Sequence, residues 1–124
     1  LLRGMRRAMR AMVDANVKII IDDVLLEPEF LQDYLTVFSG VNVLFVDGRC
    51  DLASIDAREQ QRAGRFPGTA YGHFKSCHAH ALYDAEVDTG ALSPSDCSKV
   101  VEQALKADHN TAFDTLRSMA SPGL

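Results

Sequence analysis

The strongest constraint on the fold is the alternation of short apolar runs with longer amphipathic segments. Two runs, Val17–Ile21 and Val41–Val46, are almost continuously apolar, which is typical of strands buried on both faces of a sheet. A shorter run at Glu86–Asp88 predicts a third strand. Because helical patterns separate the three runs, their order predicts an α/β fold with a parallel sheet and right-handed crossovers.

Helices are predicted around these strands from the spacing of apolar residues and from their cap residues. Asn16 and Gly40 are expected to end the first and second helices, because Asn and Gly tolerate the left-handed conformation of a helix C-terminus. Ser93 is expected to cap the last helix, with Pro94 in the first position and Asp96 able to reach back. The predicted helices cover residues 1–15, 28–39, 52–61, 71–82 and 94–107, and a loop rich in Gly covers residues 63–70.

Composition and charge narrow the classes of function. The 124 residues are 47% apolar and 24% charged, and 13 Lys and Arg against 17 Asp and Glu leave a net charge of −4. A nucleic-acid-binding domain is normally basic, so this balance argues against nucleic acid as a partner. No stretch approaches the roughly 20 apolar residues of a membrane span, so no membrane association is expected. Three cysteines without a CxxC pair are typical of reduced thiols, which predicts a cytoplasmic protein.

The N-terminal segment concentrates positive charge. Arg3, Arg6, Arg7 and Arg10 lie within the first ten residues, which contain no acidic residue. Two interpretations stay open for this arginine helix. It is either the polar face of a packed helix or a stripe that holds a partner or phosphate groups.

An acidic pair directly follows the first predicted strand. Ligands of parallel sheets bind at the carboxyl ends of the strands, and Asp22 and Asp23 are expected to lie there. Two adjacent carboxylates repel each other and call for a neutralising group, and Mg²⁺ in phosphotransferases is held by carboxylates of this kind. The structural alternative is a solvated strand end. Asp47 to Arg49, after the second run, are placed at the same edge.

Three further arginines precede and enter the Gly-containing loop. Arg58 and Arg62 are four residues apart and share a helix face, and Arg65 follows in the loop. Guanidinium groups on such a segment can close over phosphates and neutralise charge on a transferred phosphoryl group. The alternative is a solvated helix face, with acidic neighbours as partners.

Two other patterns argue against particular sites. His73, Cys77, His78 and His80 fall close together, but no second ligand pair appears elsewhere, which disfavours zinc. The sequence contains no G-x-x-x-x-G-K-[ST], so it carries no P-loop that would cradle phosphates.

Taken in order, these motifs resemble the chloramphenicol phosphotransferase-like proteins, a family of P-loop kinases. The Y-D-x-E-V-D-T motif together with the loop arginines is the most specific part of the resemblance, which covers residues 1 to about 106. The resembling stretches are Val17–Val24, Val43–Val46, Gly48–Asp51, the segment from Ala57 to Arg65, His78 and Tyr83–Thr89.

The resemblance implies a three-layer α/β fold with a parallel sheet of adenylate-kinase type. It also implies ATP and Mg²⁺ as cofactors, and transfer of the γ-phosphoryl group to a small-molecule hydroxyl, as in antibiotic inactivation by O-phosphorylation. Asp22 and Asp23 would face the metal. The catalytic phosphate clamp would be Arg58, Arg62 and Arg65, and the cofactor's adenine would lie against Asp88, Thr89 and Leu92.

In the family, a P-loop strand and a second strand with the catalytic base precede the region matched here. Residues 1–117 are therefore expected to form the C-terminal two-thirds of a kinase domain, with a lid at about 58–70 and a tail at 118–124. The sheet is then incomplete, and the 124-residue chain alone is expected to be inactive. Two alternatives are a receiver domain and a non-catalytic, truncated paralogue that binds a partner through its arginine helix.

Overall fold

A computed structural model describes residues 1–49 and 82–119. The helices predicted at 52–61 and 71–82, the loop at 63–70 and the tail from residue 120 lie wholly or almost wholly outside these residues. The described elements, in chain order, are α1 (Leu2–Asp14), α2 (Pro28–Val37), β1 (Val46–Arg49), β2 (Ala85–Asp88), α3 (Pro94–Ala107) and α4 (Ala112–Met119).

The two strands form a parallel pair, as the sequence predicts. Val46 lies opposite Ala85 and Arg49 lies opposite Asp88, so both strands end at the same edge of the sheet. The third predicted strand is confirmed, since β2 covers Ala85–Asp88. The described residues therefore form an α/β fold with a small parallel sheet. They do not by themselves establish a three-layer arrangement.

The first two predicted strands need correction. Residues 17–26 form no strand, and the Ile20 side chain is 99% exposed. A strand needs hydrogen-bonding neighbours for its backbone, and no described strand pairs with this segment. The second strand begins at Val46, the last residue of the predicted run, because pairing with β2 selects residues 46–49. The apolar residues before it pack on the core instead.

The predicted helix ends are confirmed where cap residues signalled them. Asn16 follows α1 with φ 67° and Gly40 follows α2 with φ 80°, both in the left-handed region that Asn and Gly tolerate. The Ser93 hydroxyl accepts a hydrogen bond from the Asp96 amide at 3.1 Å, which is the expected N-cap contact. Helix α3 ends at Ala107, as predicted.

The core lies between α2 and α4. Its buried residues are Leu31, Tyr34, Leu35, Phe38, Phe113 and Leu116. Phe113 also meets Phe45 edge to face, with ring centroids 5.2 Å apart. Helix α4 was not predicted from the sequence, and it extends to Met119, into the expected tail. The chain beyond residue 107 is thus part of the core.

Apolar side chains also remain on the surface at the N-terminal end. Leu2, Met5 and Met12 of α1 are each at least 40% exposed, as are Val17 and Val24 in the segment that follows. Among the helices that the structure describes, none combines the length and apolarity needed to cross a bilayer.

Candidate functional site

The residues expected beside the adenine form a single turn after β2. The Thr89 amide and hydroxyl both donate to the Arg49 carbonyl, at 2.7 and 3.0 Å, which joins this turn to the end of β1. The Asp88 carboxylate accepts from the amides of Gly90 and Ala91 at 3.0 and 3.1 Å. The Leu92 amide donates to the Asp88 carbonyl at 2.9 Å. Asp88, Thr89 and Leu92 are therefore brought together at the carboxyl edge.

A charged group of three residues lies across the two strands. Asp47 is buried, and the Arg49 guanidinium donates to its carboxylate. A second Arg49 nitrogen lies 3.5 Å from Glu86. The hydrogen bond that Arg49 donates to Asp47 is the main reason that the pKa of Arg49 lies above its usual value. Two carboxylates already flank this one guanidinium, so Arg49 does not form a site for a bound anion by itself.

The two acidic residues of the predicted metal site differ in their surroundings. One Asp23 carboxylate oxygen accepts from the Val24 amide at 2.7 Å, and the other accepts from the Tyr34 hydroxyl at 2.6 Å. Asp22 is exposed, and its carboxylate makes no hydrogen bond or ion pair with the residues that the structure describes. The pair thus presents one engaged carboxylate and one available carboxylate.

Tyr34 is a site residue that the sequence analysis missed. Its side chain is 5% exposed, and burial followed by the hydrogen bond to Asp23 raises the pKa of Tyr34 to about 12. The hydroxyl therefore stays protonated and donates at neutral pH. The spacing of Tyr34 with the apolar residues Leu31, Leu35 and Phe38 is typical of a helix face that packs on a core. A Tyr in such a stripe carries a polar atom that needs a partner, and that signal could have identified it.

A buried arginine covers the Tyr34 ring. Arg6 is only 2% exposed, and its guanidinium carbon lies 4.8 Å from the centre of the Tyr34 ring and 5.0 Å from that of Phe30. One of its nitrogens pairs with Asp33 at 3.0 Å. Burial would raise the pKa of Asp33, but hydrogen bonds and charge from Arg7 and Arg6 outweigh it and hold that pKa below its usual value.

The arginine helix is a packing element in this structure. Arg7 pairs with Asp33 at 3.1 Å, and Arg10 donates to the carbonyls of Val37 and Ser39 at 2.9 and 2.8 Å. Cations are favourable at a helix C-terminus, where carbonyl groups lack intrahelical partners. Three of the four arginines thus attach α1 to α2, which favours the packed-helix interpretation over a stripe that holds a partner.

Side chains of the Y-D-x-E-V-D-T motif, residues 83–89, connect neighbouring parts of the fold. The Tyr83 ring lies 4.9 Å from that of Phe45. The Asp84 carboxylate accepts from the Phe45 amide at 2.8 Å, and from the amides of Thr111 and Ala112 at 2.8 and 2.9 Å. Asp84 thereby joins the start of the strand pair to the N-terminus of α4.

The predicted phosphate clamp, Arg58, Arg62 and Arg65, lies outside the described residues, as does the His73–His80 cluster. Within residues 1–49 and 82–119, no group of three or more His, Cys, Asp or Glu side chains could hold a metal ion. Mg²⁺ in kinases needs fewer, since one or two carboxylates with phosphates and waters complete its shell. The donor set at Asp22 and Asp23 fits that requirement.

Comparison with known proteins decides the family. The sequence profile of the chloramphenicol phosphotransferase-like proteins matches residues 1–106. The chain belongs to this family. The resemblance that the sequence motifs of residues 1 to about 106 indicate is therefore confirmed.

Two curated relatives are similar over 90% of the chain. Both come from Mycobacterium tuberculosis, strains CDC 1551 / Oshkosh and H37Rv, and each is named "Putative O-phosphotransferase". Each is 35% identical to the chain over 112 residues, and the match covers 50% of the relative. The chain thus spans about half the length of these relatives. No solved structure matches it significantly.

Proposed function

We propose that this protein transfers the γ-phosphoryl group of ATP to a hydroxyl group of a small molecule, with Mg²⁺ as cofactor. Chloramphenicol-like compounds are the first acceptors to consider, and antibiotic resistance is the corresponding biological role. The observation that carries the proposal is the available Asp22 carboxylate beside the engaged Asp23, in a chain of a phosphotransferase family. The names of the two curated relatives support the same reaction class.

Each predicted residue has a role in this proposal. Asp22, with Asp23 beside it, would hold the metal or its water shell, and Mg²⁺ when bound would neutralise charge on the β- and γ-phosphates. Arg58, Arg62 and Arg65 would clamp the phosphates. The turn at Asp88, Thr89 and Leu92 would contact the adenine, and the Leu92 side chain is 36% exposed there.

The 124 residues contain no P-loop. Kinases of this class need backbone amides and a Lys to cradle the phosphates. We therefore expect the 124-residue polypeptide by itself to lack phosphotransferase activity. Cytoplasmic location is part of the same proposal, and the free thiol of Cys97 is consistent with it.

A chimera tests this function. In the H37Rv relative, the 112 matched residues are replaced by the corresponding residues of this chain. ADP release and phosphorylated product are measured with Mg·ATP and a panel of small hydroxyl compounds that includes chloramphenicol. The intact relative and the 124-residue polypeptide serve as references.

We expect the chimera to phosphorylate an acceptor that the 124-residue polypeptide does not. Asp22→Asn in the chimera should reduce the rate at least 100-fold, whereas Asp96→Asn, on the surface of α3, should change it less than twofold. A folded chimera that phosphorylates no acceptor of the intact relative would contradict the proposal. So would an Asp22→Asn chimera with undiminished activity.

A further inference from the structure

The carboxylates of the adjacent residues Asp22 and Asp23 have different surroundings. Both oxygens of the Asp23 carboxylate accept hydrogen bonds from the protein, one from the Tyr34 hydroxyl at 2.6 Å and one from the Val24 amide at 2.7 Å. Both distances lie within the range of hydrogen bonds to an ionised acceptor, which are stronger than those between neutral groups. Turning Asp23 toward a cation would break these contacts, whereas Asp22 has none to break within the described residues.

The donor of the shorter bond is itself held on several sides. The Tyr34 ring stacks with Phe38 at a centroid distance of 6.1 Å, and the Arg6 guanidinium covers it at 4.8 Å. Arg6 is kept in place by its ion pair with Asp33. The Tyr34 hydroxyl therefore has little freedom to leave Asp23.

We propose that Tyr34 is a positioning residue for the acidic pair, which holds Asp23 against α2 and leaves Asp22 as the carboxylate that receives the cation. The metal-facing part of this inference rests on the proposed phosphotransferase function. The non-equivalence of the two carboxylates rests on the contacts alone. The sequence motif does not distinguish the two aspartates, whereas their hydrogen bonds in the structure do.

Chemical labelling tests the non-equivalence without metal or activity. The chain is treated with a water-soluble carbodiimide and glycinamide, and labelling at Asp22 and Asp23 is followed by tandem mass spectrometry. We expect Asp22 to react at least fivefold faster than Asp23. In Tyr34→Phe, which removes only the hydroxyl, the two rates should come within twofold, while the matched control Tyr83→Phe should keep the difference.

Binding of Mn²⁺, used as the probe for the divalent cation, tests the division of roles. Asp22→Asn should weaken Mn²⁺ binding at least tenfold and Asp23→Asn less than threefold. In the Tyr34→Phe background the effect of Asp22→Asn should fall below threefold, because the released Asp23 can replace the lost carboxylate. A tyrosine needed only for stability would lower the melting temperature and leave these ratios unchanged.

Equal labelling of the two aspartates in the unmodified chain would overturn the inference, as would equal effects of Asp22→Asn and Asp23→Asn on Mn²⁺. Both comparisons use chains that retain Tyr34, so they remain valid even if Tyr34→Phe folds poorly. Unequal labelling in a chain that binds no Mn²⁺ would support the positioning role. That result would count against metal binding by Asp22 in the proposed function. Failure of the proposed function and failure of the positioning role of Tyr34 therefore give different results.

Discussion

Arg6 illustrates how a charged residue can be the most buried residue of an amphipathic helix, although Met9 and Val13 of the same helix also pack against the core. The apolar spacing of α1 suggests a buried face of Met and Leu, yet Arg6 is the buried residue of this helix and Leu2, Met5 and Met12 are partly exposed. An arginine can be buried when its charge is paired and its plane stacks on aromatic rings. Asp33, Phe30 and Tyr34 supply these partners from α2.

Removing the carboxylate partner of Arg6 should destabilise the protein. We expect Asp33→Ala to cost about 3 kcal/mol of unfolding free energy, because it leaves a buried guanidinium without its counter-ion. Asp14→Ala, which removes an ion pair whose Asp side chain is 59% exposed, should cost less than about 0.5 kcal/mol. Urea unfolding measures both. Equal costs would show that the Arg6–Asp33 pair contributes no more than a surface pair.

The raised pKa of Tyr34 predicts that the stability of the fold depends on pH under alkaline conditions. Its pKa is raised to about 12 in the folded chain, against about 10 in an unfolded one. The unfolded state therefore releases this proton first, so stability should decrease as the pH rises from about 10 to 12.

The test of that prediction compares the unfolding free energy of the native chain and Tyr34→Phe from pH 9 upward. The native chain should lose stability more steeply than Tyr34→Phe over this range. Parallel curves for the native chain and Tyr34→Phe would contradict the shifted pKa.

At the scale of elements, one acidic side chain connects three parts of the chain. Asp84 accepts hydrogen bonds from the residue before β1 and from the two residues at the start of α4. A carboxylate at a helix N-terminus satisfies amides that lack intrahelical partners and interacts favourably with the helix dipole. The motif that identifies the family thus also fixes where α4 begins.

Asp84→Ala should loosen α4 before the rest of the fold. We expect a loss of about 2 to 3 kcal/mol, since a hydrogen bond to a charged group contributes roughly 1.5–3 kcal/mol net and the amides that are freed can partly rebind water. Hydrogen exchange should accelerate at the amides of Phe45, Thr111 and Ala112. Asp114→Ala, an exposed carboxylate within α4, is the control. Unchanged exchange at these three amides would refute the role of Asp84.

At the scale of the whole molecule, the core extends beyond the region that matches the family. The match ends at residue 106, yet Phe113 and Leu116 belong to the buried cluster with α2, and Arg117 donates to the Leu35 carbonyl at 2.9 Å. The stability of the matched region therefore depends on a helix outside it.

Phe113→Ala tests that dependence. Phe113 is 8% exposed, and truncating a buried Phe costs about 3 to 5 kcal/mol through lost burial and the cavity that remains. Leu105→Ala, whose side chain is 57% exposed on α3, should cost less than about 1 kcal/mol. Thermal or urea unfolding compares the two. A small effect of Phe113→Ala would mean that α4 is dispensable for the core.

The features predicted correctly depend on residues close together in the sequence. Asn16, Gly40 and Ser93 each act within their own turn, so the ends of α1, α2 and α3 could be read from local signals. The failed strand at Val17–Ile21 shows the limit of this reasoning. An apolar run is compatible with a strand, but only hydrogen-bonding neighbours make it one.

The sequence alone indicated where α1, α2 and α3 lie, the parallel direction of the strands and the family, because caps, apolar periodicity and motifs are local properties of the chain. It also located the acidic pair and the turn after β2. Only the tertiary structure decided that Asp23 is engaged, that Arg6 is buried and that Asp84 holds α4. The physical reason is distance along the chain, since these contacts join residues 11 to 39 positions apart, and no local pattern specifies which partners will meet.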